Sequence, residues 1–216
     1  YLVSILNSQT LPSFAKRFPL SLLPDIELKN RTEWLVFQID RLPEIRGHIN
    51  GRLKEHPSGQ FLMYETEVDQ GLYEMIMQAN PSRWKGESYP VDSVGLEEAS
   101  EFCKKIGWVI GQPVVLPRKE WLMDLGFVGV DDSVLWFANR SEFKSQPVKT
   151  SDAYSGFYDI FGNLAEWVQP GEENKGFYLF GGSGADSYKE IINKPVTAVA
   201  PNFRSRWVGF RFCVLD

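Results

Sequence analysis

Sulfur and imidazole are scarce in this chain. Its 216 residues hold two cysteines, Cys103 and Cys213, and two histidines, His48 and His56. Two cysteines are too few for a disulfide framework or a cysteine zinc site, and they do not fix a redox compartment. The histidines sit in a polar stretch at a spacing that fits no metal pair, so both are expected as ordinary surface residues. Positive charge is also short: 23 Lys and Arg against 28 Asp and Glu leave a net charge of −5. No basic run forms the patch or stripe that a nucleic-acid footprint needs, so no nucleic-acid partner is expected. No apolar run reaches the roughly 18 residues of a membrane-spanning helix, so no membrane span is expected. Gly181-Gly182-Ser183-Gly184 lacks the lysine and the spacing of a phosphate-cradling loop.

Apolar residues make up 43% of the chain, enough for a sizeable core in one or two domains. Chemistry-bearing residue types crowd into the stretch Ser155 to Trp167. It holds Gly156 and Gly162, Asn163, the carboxylates Asp159 and Glu166, and the aromatics Phe157, Tyr158, Phe161 and Trp167. Gly162-Asn163 is a turn signal. An acid on each side can face that turn, and carbonyls bent inward supply further oxygens. A hard cation such as calcium takes about six to eight oxygen ligands of this kind. The other reading of the same residues is a structural turn that buries Phe157, Tyr158 and Trp167 beside the core.

Along the chain, residues 1–30 carry Pro12, Pro19 and Pro24 among apolar residues. That proline spacing forbids a long helix and reads as an extension or linker; residues 31–216 read as the folded domain. Glu33 to Ile39 reads as a strand, Arg46 to Lys54 as a loop or hairpin around Asn50-Gly51, and Gln60 to Val68 as a second strand. Asp69 is placed to cap a helix whose buried face is Leu72, Tyr73, Ile76 and Met77. Gly95 and Glu98 open another, with Ala99, Phe102, Cys103 and Ile106 as its buried stripe and Gly107 as its end. Val128 to Phe137 is expected to hold one or two short strands, Arg140 to Ser155 a polar loop, and Phe177 to Phe180 and Trp207 to Val214 further strands. Residues 181–206 lack periodicity and are expected as long loops, where binding function concentrates. Trp136 and Trp207 are expected in the core. Tyr188, Arg204 and Arg206 are expected on the loop surface as a binding face, since Tyr, Trp and Arg dominate interface energetics.

The stretch around Gly162 resembles the G-L-Y-D-M-x-G-N-V-W-E-W signature of the formylglycine-generating-enzyme (sulfatase-modifying-factor) family. Phe180-Gly181-Gly182-Ser183 is similar to that family's R-G-G-S, and Gly209-Phe210-Arg211 to its closing G-F-R. Upstream, Glu67-Val68, Asn80-Pro81-Ser82, the segment Pro90 to Cys103, and Leu116-Pro117 with Glu120-Trp121 resemble further blocks in family order. The resemblance implies an α+β, C-type-lectin-like fold of the formylglycine-generating-enzyme type: a short twisted sheet, two helices and long loops. It also implies a calcium ion held by the side chain of Asp159, the carbonyls of Gly162 and Leu164, and the side chain of Glu166.

Catalysis in that family rests on copper bound by a cysteine pair just after R-G-G-S. The corresponding run here, Gly181 to Tyr188, contains no sulfur. Soft thiolates are what select Cu(I), so no copper and no formylglycine formation are expected. In some members a helix cysteine pairs with one in the last strand. Cys103 matches the former, but Cys213 lies one residue beyond the latter, which turns it to the opposite face unless a bulge intervenes. The resemblance therefore points to a non-catalytic module that binds a protein or small ligand. Together with the opening on Tyr1, it also points to the C-terminal domain of a larger bacterial protein such as a serine/threonine kinase. The alternative is a copper-independent oxidoreductase, as in siderophore-maturation relatives, with Asp186 or Glu190 as general base.

Overall fold

The computed structural model describes residues 25–126, 130–169 and 176–215. Of the extension expected over residues 1–30, residues 1–24 lie outside the described residues and 25–30 are helical; residues 128–129 of the strand region expected up to Phe137 also lie outside them. The chain begins with helix α1 (Asp25–Phe37), followed by α2 (Leu42–Ile49), β1 (Leu53–Glu55) and β2 (Phe61–Tyr64). Residues 33–37 are thus helical, not the expected strand. The reason lies in spacing: Arg31, Leu35 and Gln38 are buried, which is the i, i+4, i+7 face of a helix. Trp34 of this helix packs edge-on against Trp108 at 5.7 Å. The expected loop around Asn50 is half helix as well, because Ile45 and Ile49 bury one turn of α2; Asn50-Gly51 then forms the turn into β1.

Two amphipathic helices follow, α3 (Gln70–Met77) and α4 (Leu96–Ile110). Asp69 caps α3 by accepting the Leu72 N–H at 2.8 Å. Glu98 reaches back to the Gly95 N–H at 2.9 Å at the start of α4. Gly107 does not end α4 as expected; the helix runs on to Ile110, with Gly111 as left-handed C-cap. Gly107 is instead a contact position, since a Cβ there would sit 3.0 Å from the Gln112 carbonyl oxygen. The remaining elements are β3 (Val114–Val115), α5 (Lys119–Met123), β4 (Leu135–Trp136), α6 (Ala138–Ser141), β5 (Phe161–Gly162), β6 (Ala165–Val168), β7 (Phe177–Phe180), α7 (Tyr188–Asn193), β8 (Val196–Val199), β9 (Val208–Gly209) and β10 (Cys213–Leu215).

The strands form two four-stranded sheets, β1-β2-β10-β3 and β8-β7-β6-β9, and a parallel pair, β4-β5. The expected single strand from Trp207 to Val214 is split between the large sheets: β9 runs parallel to β6, and β10 antiparallel to β2. The sheet containing β2 and β10 is apolar on both faces. Tyr64, Phe212 and Val214 join a core with Leu72, Ile76, Phe102 and Ile106 from α3 and α4. Phe61, Met63 and Cys213 join a second core with Phe157, Phe161 and Phe180. Each fully buried aromatic or aliphatic side chain contributes about 1.5–3 kcal/mol, so these two cores carry the fold.

This alternation also separates the cysteines. Cys103 lies in the first core and Cys213 in the second, and both are buried free thiols. Residues 181–206 are not all loop, because α7 and β8 fall within them. Ser187 caps α7 reciprocally with Glu190, a Ser-x-x-Glu box legible in the sequence.

Candidate functional site

The stretch 155–167 folds back on itself at Gly162, whose φ of 78° and close approach to the Trp136 carbonyl leave no room for a Cβ. Asp159 and Asn163 also take left-handed φ, 54° and 52°. The turn gathers Glu67, Asp159 and Glu166 around Arg211, all four essentially buried. Arg211 donates from Nε to Glu166 Oε2 at 2.7 Å and from Nη2 to Oε1 at 2.5 Å. Nη2 also donates to the carbonyl oxygens of Tyr158 and Asp159, at 2.9 and 3.2 Å. The Asp159 carboxylate accepts the Lys149 N–H at 2.9 Å and the Ser151 hydroxyl at 2.8 Å. Glu67 accepts from Asn163 Nδ2 at 2.9 Å and from the Leu164 N–H at 3.0 Å.

Burial pushes the Glu67 carboxyl well above its ordinary range, and the charges of Asp159 and Glu166 push it further, against Arg211 and the Leu164 N–H. Burial also raises Asp159, opposed by the Lys149 N–H, the Ser151 hydroxyl and Arg211. It raises Glu166 as well, opposed by Arg211. For Arg211, burial works against the charge, but Glu166, together with Glu67 and Asp159, more than offsets it and the guanidinium is held protonated. A bidentate arginine–carboxylate pair of this geometry is among the strongest charge-assisted contacts.

These residues do not fit calcium in the way the resemblance implies. Of the four ligands expected, the Asp159 carboxylate already faces the Lys149 N–H and the Ser151 hydroxyl, and the Glu166 carboxylate is held by Arg211. A metal ion would have to displace that guanidinium. Among the described residues no group of three His, Cys, Asp or Glu side chains gathers to hold a metal ion. The other two expected ligands are the carbonyls of Gly162, at the end of β5, and of Leu164, in the bend before β6.

The expected binding residues separate. Arg204 and Arg206 are exposed on the loop before β9. Arg206 lies over two tryptophan rings, 5.5 Å from the centroid of Trp84 and 5.5 Å from that of Trp207. Those two rings are 4.9 Å apart and tilted by 54°. Arg204 pairs with Glu98 at 2.8 Å and donates to the Ser93 carbonyl at 3.2 Å, tying this loop to the start of α4. Tyr188 is elsewhere: its hydroxyl donates to the Val130 carbonyl at 2.9 Å, its ring packs on Phe137, and it lines the second core. It is a packing residue, not part of the face. Trp207 and Trp136 were expected in the core, but both are half-buried. Trp136 lies under the Arg140 guanidinium, 4.2 Å away. Trp84 was missed by sequence reasoning; the available signal was a tryptophan between Arg83 and Lys85 just after Asn80-Pro81-Ser82.

The run Gly181 to Tyr188 lies beside this face. A Cβ on Gly184 would stand 3.1 Å from the Trp207 ring. Within the run, Asp186 Oδ2 accepts from both the N–H and the hydroxyl of Ser183, each at 2.8 Å. Glu190 caps α7 through Ser187, whose hydroxyl and N–H hold its carboxyl below the usual range. Both carboxylates named as general bases are thus committed to a turn and a cap.

The histidines are not the ordinary surface residues expected. His56 is buried and stacked on Phe61, with Nε2 on the Trp121 carbonyl at 2.9 Å and Nδ1 on Ser58 at 2.9 Å. His48 meets the buried Asp69 carboxylate at 2.8 Å, and Arg52 shares the same oxygen.

No family model matches the chain, and no curated protein sequence matches it. Solved structures do. Variable protein 1 of Treponema denticola superposes with a TM-score of 0.64 at 21% identity, over 72% of this chain and 84% of its own. PvdO from Pseudomonas aeruginosa gives 0.63 at 15% identity, over 72% and 80%. CarF gives 0.61 at 19%, over 72% and 86%. At these identities the likeness is one of fold. The fold class is α+β of the formylglycine-generating-enzyme type.

Proposed function

We propose that this chain is a non-catalytic binding module for a protein ligand, and that it binds through the face formed by Trp84, Trp207, Arg206 and Arg204. One observation carries this reading: a guanidinium stacked over two half-buried tryptophans on exposed loops. Rigid aromatics and arginine are the side chains in which binding energy concentrates. The loops beneath are held from below, by Asp92 on the N–H groups of Arg83 and Trp84 and by Gln70 Nε2 on the Trp84 carbonyl. A face ordered before contact loses less entropy on binding. The absence of catalysis rests on the sulfur-free run 181–188 and on the structural engagement of Asp186 and Glu190, which also counts against the oxidoreductase alternative. A place within a larger bacterial protein, such as one with a kinase domain, follows from the family resemblance and is part of the proposal.

Selection of a random displayed peptide library on the 216-residue protein tests the reading. Enriched binders are expected to lose affinity for Trp207→Ala and Arg206→Ala and to keep it for Tyr188→Phe. Binders indifferent to both face variants would overturn the assigned surface. Stoichiometric copper uptake with oxidation of a peptidyl thiol would overturn the non-catalytic assignment.

A further inference from the structure

The charges around the tryptophan pair run against the rest of the molecule. The chain as a whole carries −5, yet the two loops that build the face expose Arg83, Lys85, Arg204 and Arg206. Arg83 and Lys85 flank Trp84 directly; Arg204 and Arg206 precede Trp207. Of the acids on these loops, Glu98 is already paired with Arg204, Asp92 is buried against the N–H groups of Arg83 and Trp84, and Glu87 lines the separate cleft of His48 and Gly71; Glu97 is exposed beside Glu98. Phe203 adds exposed apolar surface next to Arg204. The loops are also bonded to each other, through the Ser93 N–H on the Ser205 carbonyl at 3.1 Å and through Arg204 on the Ser93 carbonyl. The two loops that carry these cations are therefore fixed to each other, with the Lys85 ammonium turned onto the Asn80 carbonyl at 2.7 Å.

We propose that the segment this face takes is acidic: a carboxylate-rich stretch of a protein partner, with an apolar or aromatic side chain laid on Trp84 and Trp207. The proposal rests on the binding reading above and names its ligand class. Three physical points favour it. Guanidinium groups pair with carboxylates bidentately, in a fork geometry that lysine lacks. Arg206, pinned over the indoles, loses little freedom when it pairs. Complementary charge also steers encounter and selects among partners. A single-stranded nucleic acid would use the same stacking and cations. Its phosphates, however, would extend past four cations onto a protein of net negative charge, so the short acidic peptide is the better match.

The same library selection decides the matter when the sequences of the enriched peptides are read. An excess of Asp and Glu with at least one aromatic or large aliphatic residue is expected. Synthetic copies should bind in fluorescence polarisation, weaken about tenfold or more in Arg83→Glu/Arg206→Glu protein, and weaken as salt rises to several tenths molar, as screened charge pairs do. Binders that need Trp207 but are neutral or basic would overturn the acidic assignment and leave the binding reading standing. Binders that ignore the face would overturn both. Tighter binding of a single-stranded oligonucleotide of matched length would overturn the acidic-protein assignment alone.

Discussion

Four buried ionisable side chains set the electrostatic character of the molecule. Arg211 holds both oxygens of Glu166 and three backbone carbonyls, those of Glu65, Tyr158 and Asp159, so removing it strands several acceptors at once. Arg211→Met is expected to cost about 3–5 kcal/mol, the cost of leaving a buried charge unpaired, read as a lowered urea midpoint with unchanged slope. Adding Glu166→Leu should recover much of that loss, since an apolar pair needs no partner. Because Arg211 already holds the Glu166 carboxylate, and the Lys149 N–H and Ser151 hydroxyl hold that of Asp159, calcium and a chelator should leave the melting temperature of the wild-type protein unchanged; a rise of several degrees with calcium would refute that account. Glu67 sets the sign of the pH response. Its folded pKa lies above its unfolded value near 4.5, so between the two the folded state binds the extra proton. Stability is therefore full below about 4.5 and is lost as pH rises through the folded value. Melting temperature should fall over that window, and Glu67→Gln should flatten the fall. The readout is the slope, because the glutamine amide also sets an N–H against Asn163 and lowers stability at every pH.

At the level of helices and strands, legibility followed local chemistry. The helices α3 and α4 could be read because their caps and buried stripes agree: Asp69 with Leu72 at one, Gly95 with Glu98 at the other. The helix α1 could not, since the run Glu-Trp-Leu-Val-Phe-Gln-Ile is as apolar and β-branched as a strand, and its buried face, Arg31, Leu35 and Gln38, includes two polar residues that no apolar pattern marks. The last strand was read as one piece because nothing in Trp207 to Val214 marks the point where the chain leaves β6 for β2. Gly107 teaches the same lesson about glycine. It reads as a helix stop, yet it lies within α4 and is set by the Gln112 carbonyl oxygen 3.0 Å from where a Cβ would be. Gly107→Ala should therefore destabilise, by about 1–3 kcal/mol as overpacking does, although alanine is the better helix former by about 1 kcal/mol. A stabilised variant in thermal melts would show that the neighbouring turn yields freely.

For the whole molecule, the order of short blocks along the sequence pointed to the fold, while only Arg204 and Arg206 of the proposed binding face could be named. Trp84 and Trp207 come from segments far apart in the sequence, and no local pattern joins them; only closure of the fold does. The same closure makes stability depend on the last residues. β10 lies between β2 and β3 in the four-stranded sheet, with Cys213 opposite both Met63 and Val115, and Phe212, Cys213 and Val214 divide between the two cores. Ending the chain after Phe212 would leave β2 and β3 as unpaired edges facing an open seam, and exposed edges of that kind associate. It would also expose the apolar lining of both cores along that seam. The shortened protein is expected to lose cooperative unfolding and to aggregate, whereas a chain lacking only Asp216 should melt like the full protein. A cooperative transition in the shortened form would mean that the helices and the β6-centred sheet fold without the strand that closes them.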